Sequence, residues 1–398
     1  MTKPYRPVGA ALITRRTALV GIVAAMGGIV LSIGGVSTKD SHMTGLELKI
    51  RQRLRHDGVL KVAWSPDGTR LVSAGNGYVL WDPLTGEKVH EMPSPWAAFV
   101  VSEPVCFTSD GRDVVVVSDN AKVNGAWVGF GLWNVSSGRL EKEVPAPSSF
   151  GLRAAGDPSI VPLQGGRQIL VTFVRRPDWP VLVYDALSWK PVRTAFRLPE
   201  GGAASIAASP DGRLLAIGNV RPGDYTGEPT GRIWIYGLPE GRLIRRIDGA
   251  HKNSTGQVAF SPDSRFVASS PPELGSRALN VTTHELELMN DIDPIRIWDV
   301  ATGEKIASFE GPFPGASSLV FHPTRPWVGA SLGTITGLTK GPEFRIWNWR
   351  SPELLAVQGQ FSAGAECIAF SPDGRFVSMA GSNKRGDGWI DIAELKAN

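Results

Sequence analysis

Cysteine is nearly absent. Two in 398 residues, Cys106 and Cys367, are too few for a disulfide framework. Each falls in the first strand of a different repeat unit, the second and the seventh, so both read as small buried hydrophobes rather than a bridged pair. Neither stands just after the apolar N-terminal stretch, where a lipid-anchored protein would need it. Charge of one sign is also missing from the body of the chain. Lys3, Arg6, Arg15 and Arg16 carry four positive charges with no acid among residues 1–16, and the whole chain is +4, so the remainder is neutral. A neutral body lacks the electrostatic footprint of a nucleic-acid-binding protein.

Catalytic motifs are scarce too. There is no glycine-rich loop ahead of a Lys-Ser/Thr pair, no His-Glu-x-x-His and no Cys-x-x-Cys. Gly329-Ala330-Ser331-Leu332-Gly333 fits the Gly-x-Ser-x-Gly pattern. It aligns with a strand of other repeats, however, and not with the strand-to-helix turn a nucleophile elbow requires. The six histidines are scattered without metal-ligand spacing, and Asp291 with Asp293 is too small a set for calcium. No catalytic residue, metal or cofactor is expected.

Only one hydrophobic run is long. Thr17 to Val36 has no charge and follows the basic residues, long enough to cross a bilayer with the N-terminus kept cytoplasmic. The expected division is a basic n-region over 1–16, a transmembrane anchor or uncleaved signal over 17–36, a linker over 37–45, and one folded body over 46–398. The run Thr14-Arg15-Arg16-Thr17-Ala18-Leu19 resembles the twin-arginine export signal in Arg15, Arg16 and Leu19. That resemblance implies a bacterial source and export in the folded state. The body is then expected on the periplasmic side of the inner membrane, or secreted if the segment is cleaved.

What the chain has in quantity is glycine (46), proline (30), tryptophan (13) and repetition. The repeating unit is a strand, a Ser-Pro-Asp-Gly turn, a second strand, a variable loop, a third strand ending in Trp-Asp, a short glycine turn and a fourth strand. The first turn recurs as Ser65-Pro66-Asp67-Gly68, Ser109-Asp110-Gly111, Gln164-Gly165-Gly166, Ser209-Pro210-Asp211-Gly212, Ser261-Pro262-Asp263-Ser264, His322-Pro323-Thr324 and Ser371-Pro372-Asp373-Gly374. The third strand ends at Trp81-Asp82, Trp133-Asn134, Tyr184-Asp185, Tyr236-Gly237, Trp298-Asp299, Trp347-Asn348 and a degraded Ile392-Ala393. The count is seven.

These turns and Trp-Asp pairs resemble the WD-repeat family in its diverged bacterial form. The resemblance implies an all-β, seven-bladed β-propeller with Trp81, Trp133, Trp298 and Trp347 in the core between blades. It covers nearly all of residues 46–398. The Gly-His pair usual before the family's first strand is missing, so its buried Asp-His-Ser/Thr-Trp network is not assigned to residues of this chain. The last repeat stops after its third strand, and residues 46–54 alternate apolar and polar as a half-buried strand should. They are expected to supply the fourth strand of the seventh blade, closing the ring.

In propellers of this family the second-to-third-strand loops and the loops between blades share one face. The long segments here, the largest over 270–294, all belong to that face, with residues 283–288 read as a short helix or strand. Variable loops on a rigid scaffold are where function concentrates. Trp96, Trp127, Trp179, Tyr225, His251, His284, Glu285 and Glu287 are the expected contacts to a protein or peptide partner, by a monomeric, non-catalytic scaffold touching membrane only through its N-terminal helix. A second reading is an exported propeller enzyme or sensor holding a small ligand in the axial funnel.

Overall fold

The computed structural model describes residues 45–397 except 93–104, 121–125, 146–157, 164–167, 174–179, 187, 198–202, 220–229, 239, 253, 272–276, 280–285, 289–292, 310–314, 333–341, 360–363 and 384–386. All of these belong to the compact unit Met43–Asn398. The basic segment, the apolar segment 17–36 and the Arg15-Arg16 pair lie outside the described residues. Among the described residues no helix is long and apolar enough to cross a membrane.

Seven four-stranded antiparallel sheets form the body. In the first, Lys61–Trp64, Leu71–Gly75, Gly77–Trp81 and Lys88–Met92 follow one another as strands a, b, c and d. Blades 2 to 6 repeat this order over 105–145, 158–197, 203–248, 258–309 and 316–358. Blade 7 takes strands a to c from Gly364–Phe370, Phe376–Ser382 and Gly388–Ala397, and its outer strand is Leu46–Arg55. Arg55 pairs with Trp389 and Leu46 with Ala397, so the expected closure is present. The a strands touch in a closed cycle, each blade to the next and the seventh back to the first. The fold is a seven-bladed β-propeller.

The sequence pattern explains the local geometry. In the first a–b turn the Ser65 hydroxyl donates to Asp67 Oδ1 at 2.6 Å, and the same oxygen accepts the Thr69 N–H at 3.0 Å. Gly68 closes the turn at φ +72°, where a Cβ is disfavoured. Thr108/Asp110, Ser209/Asp211, Ser261/Asp263 and Ser371/Asp373 repeat the Ser/Thr-to-Asp bond. Each c–d pair carries a register shift next to the Trp-Asp position or its counterpart, in all seven blades, and blade 3 has a second between Val181 and Leu182. Such bulges sharpen the local twist.

Between sheets lie the cores. Trp81, Trp133, Trp298 and Trp347 are all buried, as expected of inter-blade residues. Cys106 and Cys367 sit in the first strands of blades 2 and 7 as free thiols. Burial pushes the Cys106 thiol up to about 12, which removes its nucleophilic form at neutral pH. Ser331 of the Gly-x-Ser-x-Gly match lies inside strand Trp327–Leu332, fully buried, with no elbow around it.

Candidate functional site

Alternating strand directions put the a–b and c–d turns at one end of every sheet and the b–c and d–a connections at the other. Neighbouring a–b turns touch: Pro372 of blade 7 lies against Gly68 of blade 1, and Pro66 of blade 1 against Gly111 of blade 2. At this end the described connections are short and hydrogen-bonded, as at 65–70, 82–87 and 371–375. At the opposite end the strands are joined by 93–104, 146–157, 220–231 and 270–294. The long loops expected on this face lie largely outside the described residues, and the described strand ends that bear them are at this end.

The foundations of that face are built from buried polar side chains. In blade 5, Trp298 Nε1 donates to Ser269 Oγ at 2.8 Å, and Ser269 Oγ lies 2.8 Å from His251 Nε2. His251 Nδ1 is 3.0 Å from Asp293 Oδ2. A carboxylate only accepts, so Nδ1 carries the proton and Nε2 accepts from the serine. Asp293 also receives the Lys252 N–H at 2.9 Å and faces Arg296 at 2.7 Å. Burial would raise the Asp293 carboxyl, but His251, Lys252 and Arg296 outweigh it and hold it below the usual range. His251 is also held below its ordinary value, by burial and by Arg296, despite the neighbouring acid.

Blade 1 repeats most of this arrangement. His56 Nδ1 lies 2.6 Å from Ser73 Oγ, which also accepts from Trp81 Nε1 at 2.8 Å. Its b–c connection is only Asn76, leaving no place for an acid like Asp293. Burial, and then the Lys88 charge, push the His56 imidazole down to about 4.

The network left unassigned from the sequence is therefore present. It was missed for want of a Gly-His pair: the residues before the two histidines are Arg55 and Ala250. A histidine just before strand a, a serine in strand b and a tryptophan in strand c would have revealed both copies. His251 also needs correction as a surface contact: it is 1 % exposed, and its ring is spent on Ser269 and Asp293. Asp293, read with Asp291 as a weak calcium candidate, belongs to the same network.

The network pins the roots of the loops. Gly231 N–H donates to His251 carbonyl oxygen at 2.9 Å, and Ala250 N–H returns to Gly231 at 2.7 Å. A Cβ at Gly231 would sit 2.7 Å from that His251 oxygen, so the close approach needs glycine. Asn219 bonds Thr230 carbonyl oxygen and Arg232 N–H across the base of the same loop.

The remaining expected contacts are less well placed. Trp127 begins the strand Ala126–Asn134, opposite Asp119 at the b–c end of blade 2. Glu287 lies in Leu286–Leu288, which pairs with Arg277–Leu279 as a separate hairpin inside the blade 5 insertion. The short element anticipated at 283–288 is thus a strand over its described part. Trp96, Trp179, Tyr225, His284 and Glu285 lie outside the described residues.

An open cleft of about 290 Å³ lies among Arg53, Arg55, Asn383, Asp387 and Trp389, on the outer strands of blade 7 and not on the axis. Arg53 grips Asp391 through two bonds of 2.6 and 2.8 Å, and Arg55 lies 3.3 Å from both Asp57 and Asp387. These cations are already committed within the protein. No group of His, Cys, Asp and Glu that could hold a metal occurs among the described residues.

Compared with known proteins, residues 49–82 match the family model of the WD domain, G-beta repeat. The matched segment runs from the outer strand of blade 7 through strands a to c of blade 1, ending at Trp81-Asp82. No curated protein matches the chain.

Proposed function

We propose that this chain, a WD-repeat β-propeller, is a non-catalytic scaffold that binds protein or peptide partners through its b–c and d–a face. Propellers of this family commonly serve as protein-interaction scaffolds. The observation that carries the choice of face is the asymmetry of the connections. One end is short hydrogen-bonded turns, while the other presents its long segments from roots fixed by the His251 network and by Asn219. Loops held on a rigid base form a recognition surface at low entropic cost. The apolar segment 17–36 and the Arg15-Arg16 pair support tethering to the outer side of a cytoplasmic membrane.

A photo-reactive residue placed at Trp127, and in parallel at Thr69 on the tight-turn face, tests the face directly in cells. The expected result is a reproducible cross-linked partner from position 127 and none from 69. Equal capture at both positions, or none at 127 across repeated trials, overturns the reading.

A further inference from the structure

At the tight-turn end blade 6 departs from the common pattern, as does blade 3 in sequence, where Gln164-Gly165-Gly166 has no acid and lies outside the described residues. In blades 1, 2, 4, 5 and 7 the a–b turn holds a carboxylate, Asp67, Asp110, Asp211, Asp263 or Asp373. Blade 6 has Thr324 in that place. The missing acceptor is replaced by the His322 ring, whose Nδ1 takes the N–H groups of Thr324 and Arg325 at 3.2 and 3.0 Å. Its Nε2 donates to the Gly374 carbonyl oxygen at 2.9 Å. A neutral ring therefore caps this turn, and the negative charge is gone. The following c–d turn is capped by Asn348, where blades 1 and 5 use Asp82 and Asp299.

The cations have stayed. Trp327 pairs with Asn348, and the next step of the ladder is Trp349 N–H to Pro326 carbonyl oxygen at 2.9 Å. One residue further on stand Arg325 and Arg350, two exposed arginines on adjoining strand ends. Arg325 lies over the Trp327 ring at 4.6 Å and Arg350 over Trp349 at 5.0 Å. Arg265 of blade 5 lies over Phe266 at 5.5 Å, and Phe266 packs on Trp349 at 4.8 Å. Arg265 and Arg350 are thus held at rings of the blade 5–6 core, and Arg325 at Trp327, which belongs to the neighbouring blade 6–7 core. Among the described residues none of them has a carboxylate within 4.0 Å, whereas Arg70, Arg112 and Arg375 on the same face each have one. Like charges side by side repel unless something anionic joins them.

We infer that Arg265, Arg325 and Arg350 form a second interaction surface, on the tight-turn face of blades 5 and 6, which fits an acidic peptide segment of a partner. Stacking on Phe266, Trp327 and Trp349 preorganises the guanidinium groups, so less side-chain entropy is lost when carboxylates arrive. This surface is on the opposite face from the long loops and does not depend on them.

A fluorescein-labelled peptide of consecutive glutamates is the probe, titrated against the whole propeller at low ionic strength and followed by anisotropy. Arg325→Gln with Arg350→Gln is expected to weaken binding about tenfold, two exposed charge pairs being worth roughly 1–2 kcal/mol together. Arg112→Gln with Arg213→Gln removes the same charge from the same face, on turns that keep their aspartates, and is expected to leave affinity nearly unchanged. Unfolding midpoints of both variants establish that each is folded. Equal weakening by the two pairs, or no binding of the peptide by the unaltered protein, overturns the inference.

Discussion

The seams between blades are joined in two ways. From blade 7 round to blade 3, and from blade 4 to blade 5, a long polar residue just past the outer-strand bulge reaches a carbonyl oxygen in the c–d turn of the next blade. Gln52 reaches Leu84 at 2.7 Å, His90 reaches Ser136 at 3.1 Å, Lys142 reaches Ser188 at 2.9 Å, and Arg245 reaches Ala301. In blades 5 and 6 the equivalent places hold Ala307 and Ala356, both buried. There the seams rest on several aromatic contacts: Phe309 stacks on Trp347 at 5.4 Å, Phe266 meets Trp349 at 4.8 Å, and His322 lies 5.0 Å from Phe370. Among the described residues the tethered seams 2–3 and 7–1 have one aromatic pair each, Phe130–Tyr184 and Trp64–Phe376. One register position thus serves as a surface tether in some blades and as a core wall in others. The aromatic seams surround the blade that lost its turn carboxylates.

The largest effect is expected from breaking an aromatic seam. Trp349→Ala removes a buried ring that touches Phe266 and Phe321, and should cost about 3–5 kcal/mol in denaturant unfolding. A loss below ~1 kcal/mol would mean the seam is held by something else. On the tethered side, acid should act through His56. Its folded value of about 4 lies below the unfolded 6.5, so the unfolded chain binds the extra proton. Stability is then full above about pH 6.5, falls between pH 6.5 and 4, and levels off below, with a total loss on the order of 3 kcal/mol. His56→Gln should remove that slope, and an unchanged pH profile would exclude His56 as its source.

Trying to give an aromatic seam a tether sharpens the contrast. Ala307→Gln forces a long polar side chain into a buried position of the blade 5–6 core, and should destabilise by about 1–3 kcal/mol. A stabilised variant would show that the two joints are interchangeable. The smallest effect is expected from Lys142→Met, which drops one exposed hydrogen bond to Ser188 and should cost about 0.5–1 kcal/mol in the same assay.

Most of the ring was legible because its signals are local. Ser-Pro-Asp-Gly turns and Trp-Asp ends obey turn chemistry within a few residues, and the alternation of residues 46–54 revealed the closing strand. The buried histidine network was harder to read, because its members are separated in sequence and meet only across a folded blade. His251 bonds Ser269 in the next strand and Asp293 at the far end of an insertion. The blade 6 turn, His322-Pro323-Thr324, was read simply as one more copy. That His322 replaces both a serine and an aspartate depends on a ring nitrogen lying within reach of two backbone N–H groups, which spacing alone does not encode. Exposure of Trp127 and its companions depends on loop packing, where the pattern carries no period.

Closing blade 7 with Leu46–Arg55 has a consequence during synthesis. That strand is made early, yet its partner Gly388–Ala397 emerges roughly 20–70 s later at ordinary elongation rates. For that interval it has no native strand partner. Its exposed positions are Ile50 and the charged Glu47, Lys49, Arg51, Arg53 and Arg55, so charge recurs at every second residue. An unpaired strand so decorated resists joining the same strand of another nascent chain. The arginines that later grip Asp391 and Glu394 thus first act as a guard against premature pairing.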